Sequence, residues 1–278
     1  MRKITASARS QHMVPKNCGL NPRRIREGLQ TDFIGQELYY QAEVTSTNDL
    51  AKELAEKGSK EGTVVLSETQ SQGRGRHGRR WESPAGGVWL SIILRPKIEP
   101  QEASKLTLTA GVAVARVLRE TFDLKAEIKW PNDLLIHGRK VCGILTETST
   151  TGEALDFVVV GLGVNSNVDL DSLPDTLRGS VTSLKEELKG EINQQEFLRA
   201  LLEKLEQYYK LFIQMEFDSI LEEWRRLATL LGRYVEITSL DEKIKGQVVD
   251  VDQNGALMIR LPDGSLKRFV SGEVTLQT

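Results

Sequence analysis

Hydrophobic positions between residues 33 and 231 alternate between the two-residue period of strands and the 3.6-residue period of helices. The strand pattern covers residues 37–43, 62–68, 88–94, 127–130, 134–136, 141–148 and 157–160. The helical pattern covers residues 46–57, 102–121, 181–188, 194–212 and 217–230, and the first helix begins among polar residues typical of N-caps. Strands and helices mixed in this way predict an α+β domain.

After Gly232 the pattern changes to short strands, predicted at residues 234–237, 245–251, 257–260 and 266–270. Asn-Gly and Asp-Gly pairs between them are strong turn signals. This pattern of short strands and tight turns predicts a small β-barrel as a second domain at residues 232–278. Residues 1–32 are polar and weakly patterned, so we predict a tail there, with a short helix at residues 22–29 capped by Asn21. The catalytic domain would then span residues 33–231.

Composition excludes several classes of protein. The net charge of −2 gives no global basic field for nucleic acid or membranes. The sequence has neither a signal-peptide core nor an apolar run near the roughly 20 residues that span a bilayer. Two cysteines are too few for a disulfide framework in this chain, which favours a reducing cytoplasm. With three histidines and no C-x-x-C pair, we predict no protein-bound metal site.

Residues 73–81, with the sequence GRGRHGRRW, form the segment richest in chemistry; we call it the arginine loop. Its four arginines suit bidentate binding of phosphate or carboxylate, and its glycines leave the backbone free to wrap an anion. The segment therefore predicts a flexible cationic loop that orders around an anionic ligand. A solvated surface loop is the ordinary alternative, and a nucleic-acid patch beside Trp81 is a third, disfavoured by the acidic balance of the chain.

The glycines of this loop also fit two familiar motifs, which we reject. A G-x-G-x-x-G site requires a helix to begin directly after it, but residues 82–87, ESPAGG, break helices. The P-loop spacing is present as well, but Arg79 and Arg80 stand where lysine and serine or threonine belong. The sequence also lacks the kinase H-R-D and D-F-G motifs and the hydrolase G-x-S-x-G elbow.

Other candidate segments have ordinary explanations when each is taken alone. Residues 129–133, KWPND, are good turn chemistry, Lys140 could be a hairpin-end lysine, and Ser46–Asn48 could be a helix cap. Residues 161–165, GLGVN, suit close packing against a flat ligand or a bulge. Their combination is more specific than any one of them.

Together these segments resemble the biotin protein ligase family over residues 33–278. The resemblance rests on Ser46–Asn48, Glu68–Gln70, the arginine loop, the KWPND segment, residues 140–147 and residues 161–165. It implies a core like that of class II aminoacyl-tRNA synthetases, a mixed sheet with flanking helices, followed by an SH3-like barrel. It also implies that biotin and ATP, with Mg²⁺, form biotinyl-5′-AMP, which then biotinylates a lysine of an acceptor, by default the biotin carboxyl carrier protein of acetyl-CoA carboxylase.

The resemblance also implies a role for each matching residue. Lys140 and Arg76 would neutralise the reacting anions, and Asp133 would accept the proton of the acceptor lysine. The biotin-binding residues would be Ser46, Thr47, Asn48, Gln70, Arg74, Gly75, Arg76 and Lys140. The nucleotide would contact Arg79, Trp81, Lys129, Asn132 and Asn165, with Asn132 and Asn165 holding the nucleotide or its Mg²⁺.

One departure from the family and two rival functions define the remaining expectations. Many bacterial members carry an N-terminal winged helix, whereas the residues before the core here lack its two periodic helices, so we predict no sequence-specific DNA binding. Edge-strand pairing between two copies would give a homodimer. A lipoate protein ligase is the nearest rival, although its R-R-x-S-G-G-G segment is absent. A regulator that only senses biotinyl-AMP is the non-enzymatic rival.

Overall fold

The computed structural model describes residues 20–239 and 242–276, and within them helices and strands follow the predicted order. The helices are α1 Pro22–Arg26, α2 Thr47–Glu56, α3 Ala103–Phe122, α4 Leu184–Leu188, α5 Gln194–Ile213 and α6 Phe217–Leu227. The strands of the first sheet are β1 Leu38–Val44, β2 Val64–Gln70, β3 Val88–Leu94, β4 Ala126–Lys129, β5 Asp133–Ile136, β6 Arg139–Thr151 and β7 Ala154–Val164. Those of the second are β8 Tyr234–Ser239, β9 Glu242–Val251, β10 Leu257–Arg260, β11 Leu266–Phe269 and β12 Glu273–Leu276.

The first sheet has seven strands in the order β1-β2-β3-β7-β6-β5-β4. Strands β1 and β2 run parallel and the other neighbours antiparallel, so the predicted mixed sheet is confirmed. All seven residues of β3 are buried. Six of the seven are apolar, and the exception, Ser91, donates its hydroxyl to Asn48. Helix α2 covers one face of the sheet and α3 the other, so neither side of the strand meets water.

The second sheet is antiparallel, in the order β11-β10-β9-β8-β12, and packs firmly against the first unit. Buried side chains of both sheets belong to one hydrophobic cluster. The indole Nε1 of Trp130 donates to the carbonyl of Gly255 at 3.0 Å, and Arg225 forms an ion pair with Asp250 at 2.7 Å. These contacts place the start of β12 beside the arginine loop.

Three predictions from the pattern need correction. The helix predicted at 181–188 begins only at Leu184, because Val181 instead pairs with Lys140 in a β-bridge. Strand β7 runs past the predicted end at Val160 to Val164, so the glycines of the GLGVN segment lie mainly inside a strand. Strand β12 was not predicted at all.

The chain before α1 lies mostly outside the described residues, including Cys18 and most of the predicted tail. The predicted capping of α1 is confirmed, since the Asn21 side chain accepts hydrogen bonds from the backbone amides of Arg23 and Arg24. Cys142 is a buried free thiol, and burial raises the pKa of that thiol well above its ordinary value. In the part of the chain that the structure describes, no helix is long and apolar enough to cross a bilayer.

Candidate active site

A cavity of about 180 Å³ lies over the first sheet, where five segments meet. The N-terminus of α2 and the arginine loop form one side, the β4–β5 turn and β6 form the other, and the start of β12 closes the rim. Thirteen of the fourteen predicted site residues line it: Ser46, Thr47, Asn48, Gln70, Arg74, Gly75, Arg76, Arg79, Trp81, Lys129, Asn132, Asp133 and Lys140. The fold thus brings together segments that are far apart in sequence, as the combination of motifs had indicated.

The cavity has a neutral polar end at the N-terminus of α2. Ser46 occupies the N-cap position, but its side chain makes no capping hydrogen bond. The Thr47 hydroxyl donates to the Gln70 amide oxygen at 3.1 Å and lies 2.8 Å from the Ser91 hydroxyl oxygen. The remaining Gln70 amide group donates to Ser83. This end therefore offers fixed neutral donors and acceptors rather than charge.

The Asn48 side chain is held mainly by protein groups. Its Oδ1 accepts from Ser91 at 2.6 Å, and its Nδ2 donates to a Glu147 oxygen at 2.7 Å and to the Leu145 carbonyl at 3.3 Å. Its side chain also fills the space beside Gly161. These bonds make Asn48 part of the pocket wall, and its contact with biotin stays a prediction.

The arginine loop is a hydrogen-bonded hairpin rather than an open loop. Backbone bonds join Gln70 to Ser83 at 3.1 Å, Trp81 to Gly73 at 2.9 Å and Gly75 to Arg79 at 2.7 Å. The left-handed turn at its tip, with φ of 55° at His77 and 70° at Gly78, explains the glycine at that position. These bonds give the loop a defined hairpin conformation, and its ordering around an anionic ligand stays a prediction.

Carboxylates from other segments neutralise most of the loop arginines. Arg74 pairs with Asp49 and Glu147, Arg79 with Glu273, and Arg80 with Glu82. Within residues 20–239 and 242–276, Arg76 forms no ion pair with a carboxylate. Its Nη1 instead donates to the neutral oxygens of Asn132 at 3.2 Å and Gly272 at 3.3 Å. Burial, assisted by the nearby Arg79, lowers the pKa of Arg76, although a guanidinium remains charged at neutral pH.

Lys140 places an ammonium group in the cavity, in addition to the guanidinium of Arg76. Its ammonium lies 2.7 Å from Asp133 Oδ1 and 4.9 Å from the centre of the Trp81 ring. The backbone of Lys140 forms hydrogen bonds with Ser180 and Thr182, which hold the start of β6 in place. The geometry gives a lysine and a carboxylate in contact, with both side chains mostly shielded from water.

Two glycines of the sheet admit Trp81 to the cavity floor. A Cβ added at Gly163 would lie 2.4 Å from Trp81 Nε1, and one at Gly143 would lie 2.9 Å from Trp81 Cζ3. The sequence suggested that Gly161 and Gly163 make room for a flat ligand. In the structure the space beside them is filled by Asn48 and Trp81, and the indole then offers its other face to the cavity.

The lining carries a local excess of positive charge. Six lysine and arginine side chains border the cavity but only two carboxylates do, although the whole chain has a net charge of −2. Because the walls exclude much of the solvent, this imbalance attracts anionic ligands. The cavity thus pairs a cationic region with a neutral polar end.

Comparison with known proteins gives matches over both units of the chain. Residues 40–165 match the Biotin/lipoate A/B protein ligase family, and residues 230–276 match the Biotin protein ligase C terminal domain. A biotin--[acetyl-CoA-carboxylase] ligase of Paracoccus denitrificans is 33% identical, over 80% of this chain and 94% of that one. The bifunctional ligase/repressor BirA of Bacillus spizizenii is 34% identical, over 99% of this chain and 85% of that one. The chain belongs to the biotin protein ligase family.

A solved structure of the family shares this fold. The biotin protein ligase from Aquifex aeolicus in complex with biotin and ATP is 29% identical, with a TM-score of 0.74, over 87% of this chain and 99% of that one. The resemblance stated from the sequence is therefore confirmed. The match of residues 230–276 to a biotin protein ligase C-terminal domain also favours a biotin ligase over the lipoate rival.

Asn165 is the one predicted site residue of this biotin protein ligase that does not line the cavity. It is buried, its Nδ2 donates to the Thr182 carbonyl at 3.0 Å, and its backbone amide donates to Val141 at 2.9 Å. These bonds tie the end of β7 to the segment before α4. The structure thus gives Asn165 a supporting position, and its predicted contact with the nucleotide is not supported.

Sequence reasoning gave no role to three carboxylates that organise the site: Asp49, Glu147 and Glu273. Glu147 lay inside a segment that resembled the family, but nothing in the sequence linked it to the arginine loop. Burial by itself would raise the pKa of Glu147, yet hydrogen bonds from Lys52 and Asn48 and the charges of Lys52 and Arg74 hold that pKa below its ordinary value.

The lowered pKa of Glu147 predicts a pH-dependent contribution to stability. A carboxyl whose folded pKa is depressed stabilises the fold above its unfolded pKa of about 4.3 and loses that effect as pH falls through the folded value. We expect Glu147→Gln to lower the free energy of unfolding at pH 7, and the gap from wild type to shrink as pH falls below about 4. Denaturant unfolding across this range measures the gap, and a gap that is constant with pH would contradict the linkage.

Gly161→Ala should disturb the neutral end of the cavity. The new Cβ would lie 2.0 Å from Asn48 Oδ1, so Asn48 must move and its bonds to Ser91 and Glu147 must break. We expect a loss of about 1–3 kcal/mol in the free energy of unfolding and weaker biotin binding. The matched control is Gly190→Ala, where the added Cβ meets nothing within 4 Å. Equal stability of the two variants would refute the packing argument.

Proposed function

We propose that this chain joins biotin to AMP with ATP and then transfers biotin to a lysine of a carrier protein. The observation that carries the proposal is the pair of cations Arg76 and Lys140, which border one cavity beside a neutral polar end. Its relatives support the substrates: one is bound to biotin and ATP, and another is a biotin--[acetyl-CoA-carboxylase] ligase.

The neutral end of the cavity suits the ureido ring of biotin. A buried ureido group needs partners for its carbonyl and both N–H groups, since an unmet polar group is costly inside a protein. Ser46, Thr47 and Gln70 provide hydroxyl and amide groups at that end. The aliphatic chain of biotin would then extend toward Lys140, which places its carboxylate among the cations.

In the first step a carboxylate oxygen of biotin attacks the α-phosphorus of ATP, and pyrophosphate leaves. Both reactants are anions, so their approach is favoured only where fixed positive charge offsets their repulsion. Lys140 would contact the carboxylate and the α-phosphate, and Arg76 the phosphate. Arg79, Lys129, Trp81 and Asn132 border the remaining cavity and are proposed to contact the nucleotide, which binds with Mg²⁺.

In the second step the amine of the acceptor lysine attacks the acyl carbon and AMP leaves. A free lysine with a pKa near 10.4 is mostly protonated at neutral pH, so a base is required. Asp133 is the carboxylate in the cavity closest to Lys140 and is our proposed base. The arginine loop would shield the mixed anhydride from water during this step.

The proposal also covers the fold of each domain, the acceptor protein and the cellular location. The mixed sheet with flanking helices and the small antiparallel sheet fit a class II synthetase-like core at residues 33–231 and an SH3-like domain at residues 232–278. We propose a biotin carrier domain as the acceptor and the cytoplasm as the location. A homodimer and the absence of sequence-specific DNA binding remain predictions.

The decisive experiment follows pyrophosphate release with biotin and, separately, with lipoate. A biotin ligase releases pyrophosphate with biotin and ATP and labels an added biotin carrier domain with radioactive biotin. Pyrophosphate release with lipoate but not with biotin would establish the lipoate ligase as the function. Formation of biotinyl-AMP without any transfer to a carrier domain would favour the regulator that only senses the intermediate.

A further inference from the structure

Arg74 of the arginine loop is bound by two carboxylates of the protein itself. Its two terminal nitrogens contact both oxygens of Glu147, at 3.2 and 3.0 Å, in a bidentate arrangement. Nη2 also contacts Asp49 at 2.5 Å. Bidentate pairing of a guanidinium with a carboxylate is strong and geometrically specific. An anionic ligand that binds the terminal nitrogens of Arg74 would compete with two carboxylates.

Glu147 connects three parts of the site. Besides Arg74 it accepts hydrogen bonds from Asn48 at 2.7 Å and from Lys52 at 2.5 Å. It stands on β6, Asn48 and Lys52 stand on α2, and Arg74 belongs to the arginine loop. One carboxylate thus ties the loop to the neutral end of the cavity, where the ureido ring of biotin is proposed to bind.

The two ends of the loop are anchored unequally. The Arg79–Glu273 pair is half or more exposed, at 64% and 50%, so solvent weakens it. In the Arg74–Glu147 pair the exposed fractions are only 37% and 19%. Arg74 is therefore the better-shielded anchor. It also lies two residues before Arg76, the loop arginine without a carboxylate partner in the described chain, so its anchoring fixes the path that carries Arg76.

We propose that Glu147 and Asp49 are positioning residues that act through Arg74: they hold the loop so that Arg76 is presented to the reacting anions. Arg74 is then an anchor and not a ligand of biotin, in contrast to the role that the resemblance implied. The inference rests on the proposed function and deepens it. It makes the retention of biotin and of the intermediate depend on two carboxylates that do not touch them.

The test compares Asp49→Asn, Glu147→Gln and Arg74→Met, with Arg74→Lys as the conservative variant. Glu53→Gln is the matched control, because Glu53 is exposed on α2, the helix of Asp49, and within the described residues it pairs only with Lys57. We expect Glu147→Gln and Arg74→Met each to raise the KM for biotin about tenfold, the factor for one lost charge-assisted hydrogen bond. The kcat at saturating substrates should stay within about twofold, because Arg76 still reaches the anions once they bind. Arg74→Lys should restore part of the lost affinity.

Two further readouts separate an anchor from a ligand. The double variant Arg74→Met/Glu147→Gln should resemble the worse single variant, since both changes break one interaction. Trypsin should cut the ligand-free arginine loop faster in Asp49→Asn and Glu147→Gln than in Glu53→Gln. Cleavage needs no catalysis, so it reports on the anchor even if the chain acts on another acid.

Specific results would overturn the proposal. If Arg74→Met is far worse than Glu147→Gln and their effects multiply in the double variant, Arg74 is itself a ligand. If trypsin cleavage and biotin KM are both unchanged in Asp49→Asn and Glu147→Gln, the carboxylates do not hold the loop. A wild-type chain that releases no pyrophosphate with biotin would instead refute the proposed function. Because Asp49 is 45% exposed, Asp49→Asn remains informative should Glu147→Gln fold poorly.

Discussion

Lys140→Ala is expected to reduce biotin-dependent pyrophosphate release by about 10²- to 10³-fold, the usual effect of removing one group that stabilises developing charge in a shielded site. Lys140 lies at the junction of the two proposed substrates, and no water-exposed lysine can replace a cation held by β6 and the Ser180–Thr182 segment. Single-turnover formation of biotinyl-AMP measures the chemical step directly. The change should appear mainly in kcat, because the charge matters most as the anions meet.

Removing Lys140 also deprives Asp133 of its cation, which could destabilise the chain independently of catalysis. The double variant Lys140→Ala/Asp133→Asn separates the two effects: it should recover stability but no activity. Lys125→Ala, an exposed lysine next to β4, serves as the control for a lost surface charge. A Lys140→Ala enzyme with a rate within threefold of wild type, roughly 0.6 kcal/mol of barrier, would contradict the assigned role.

Local patterns were sufficient to predict most of the fold. Strand β3 was predictable because burial on both faces favours a nearly continuous apolar run, and α3 because one apolar stripe repeats along 20 residues. Strand β12 escaped because a four-residue strand with a single buried position carries almost no periodic signal. The start of α4 was misplaced because a backbone pairing with Lys140, about 40 positions away, overrode the local helical pattern.

The site was predictable only where its chemistry is concentrated in short segments. The arginine loop and the KWPND turn could be recognised by composition alone. Their partners could not, because the carboxylates that face Arg74 lie 25 and 73 positions away and the one that faces Arg79 lies 194 positions away. The sequence argument held that clustered arginines require an anionic ligand. In the part of the chain that the structure describes, carboxylates pair with Arg74, Arg79 and Arg80, which leaves Arg76 as the loop arginine without a carboxylate partner.

Arg76→Gly is therefore expected to release the intermediate rather than to stop its formation. Arg76 is half-buried beside Asn132 and Gly272 and has no carboxylate partner in the described chain, so a phosphate can recruit it without breaking an ion pair. Losing its charged hydrogen bonds should speed the escape of biotinyl-AMP by roughly 10- to 100-fold. Lys140 remains to neutralise the carboxylate, so adenylation itself should persist.

The escape can be measured by trapping free biotinyl-AMP in solution, or by non-specific biotinylation of a bystander protein with exposed lysines. Arg80→Gly is the matched control, since it makes the same substitution in the same loop but removes an exposed arginine that pairs with Glu82. Both variants gain backbone freedom, so any difference between them reports the guanidinium and not the glycine. Equal escape from the two variants would show that loop rigidity, and not the charge of Arg76, retains the intermediate.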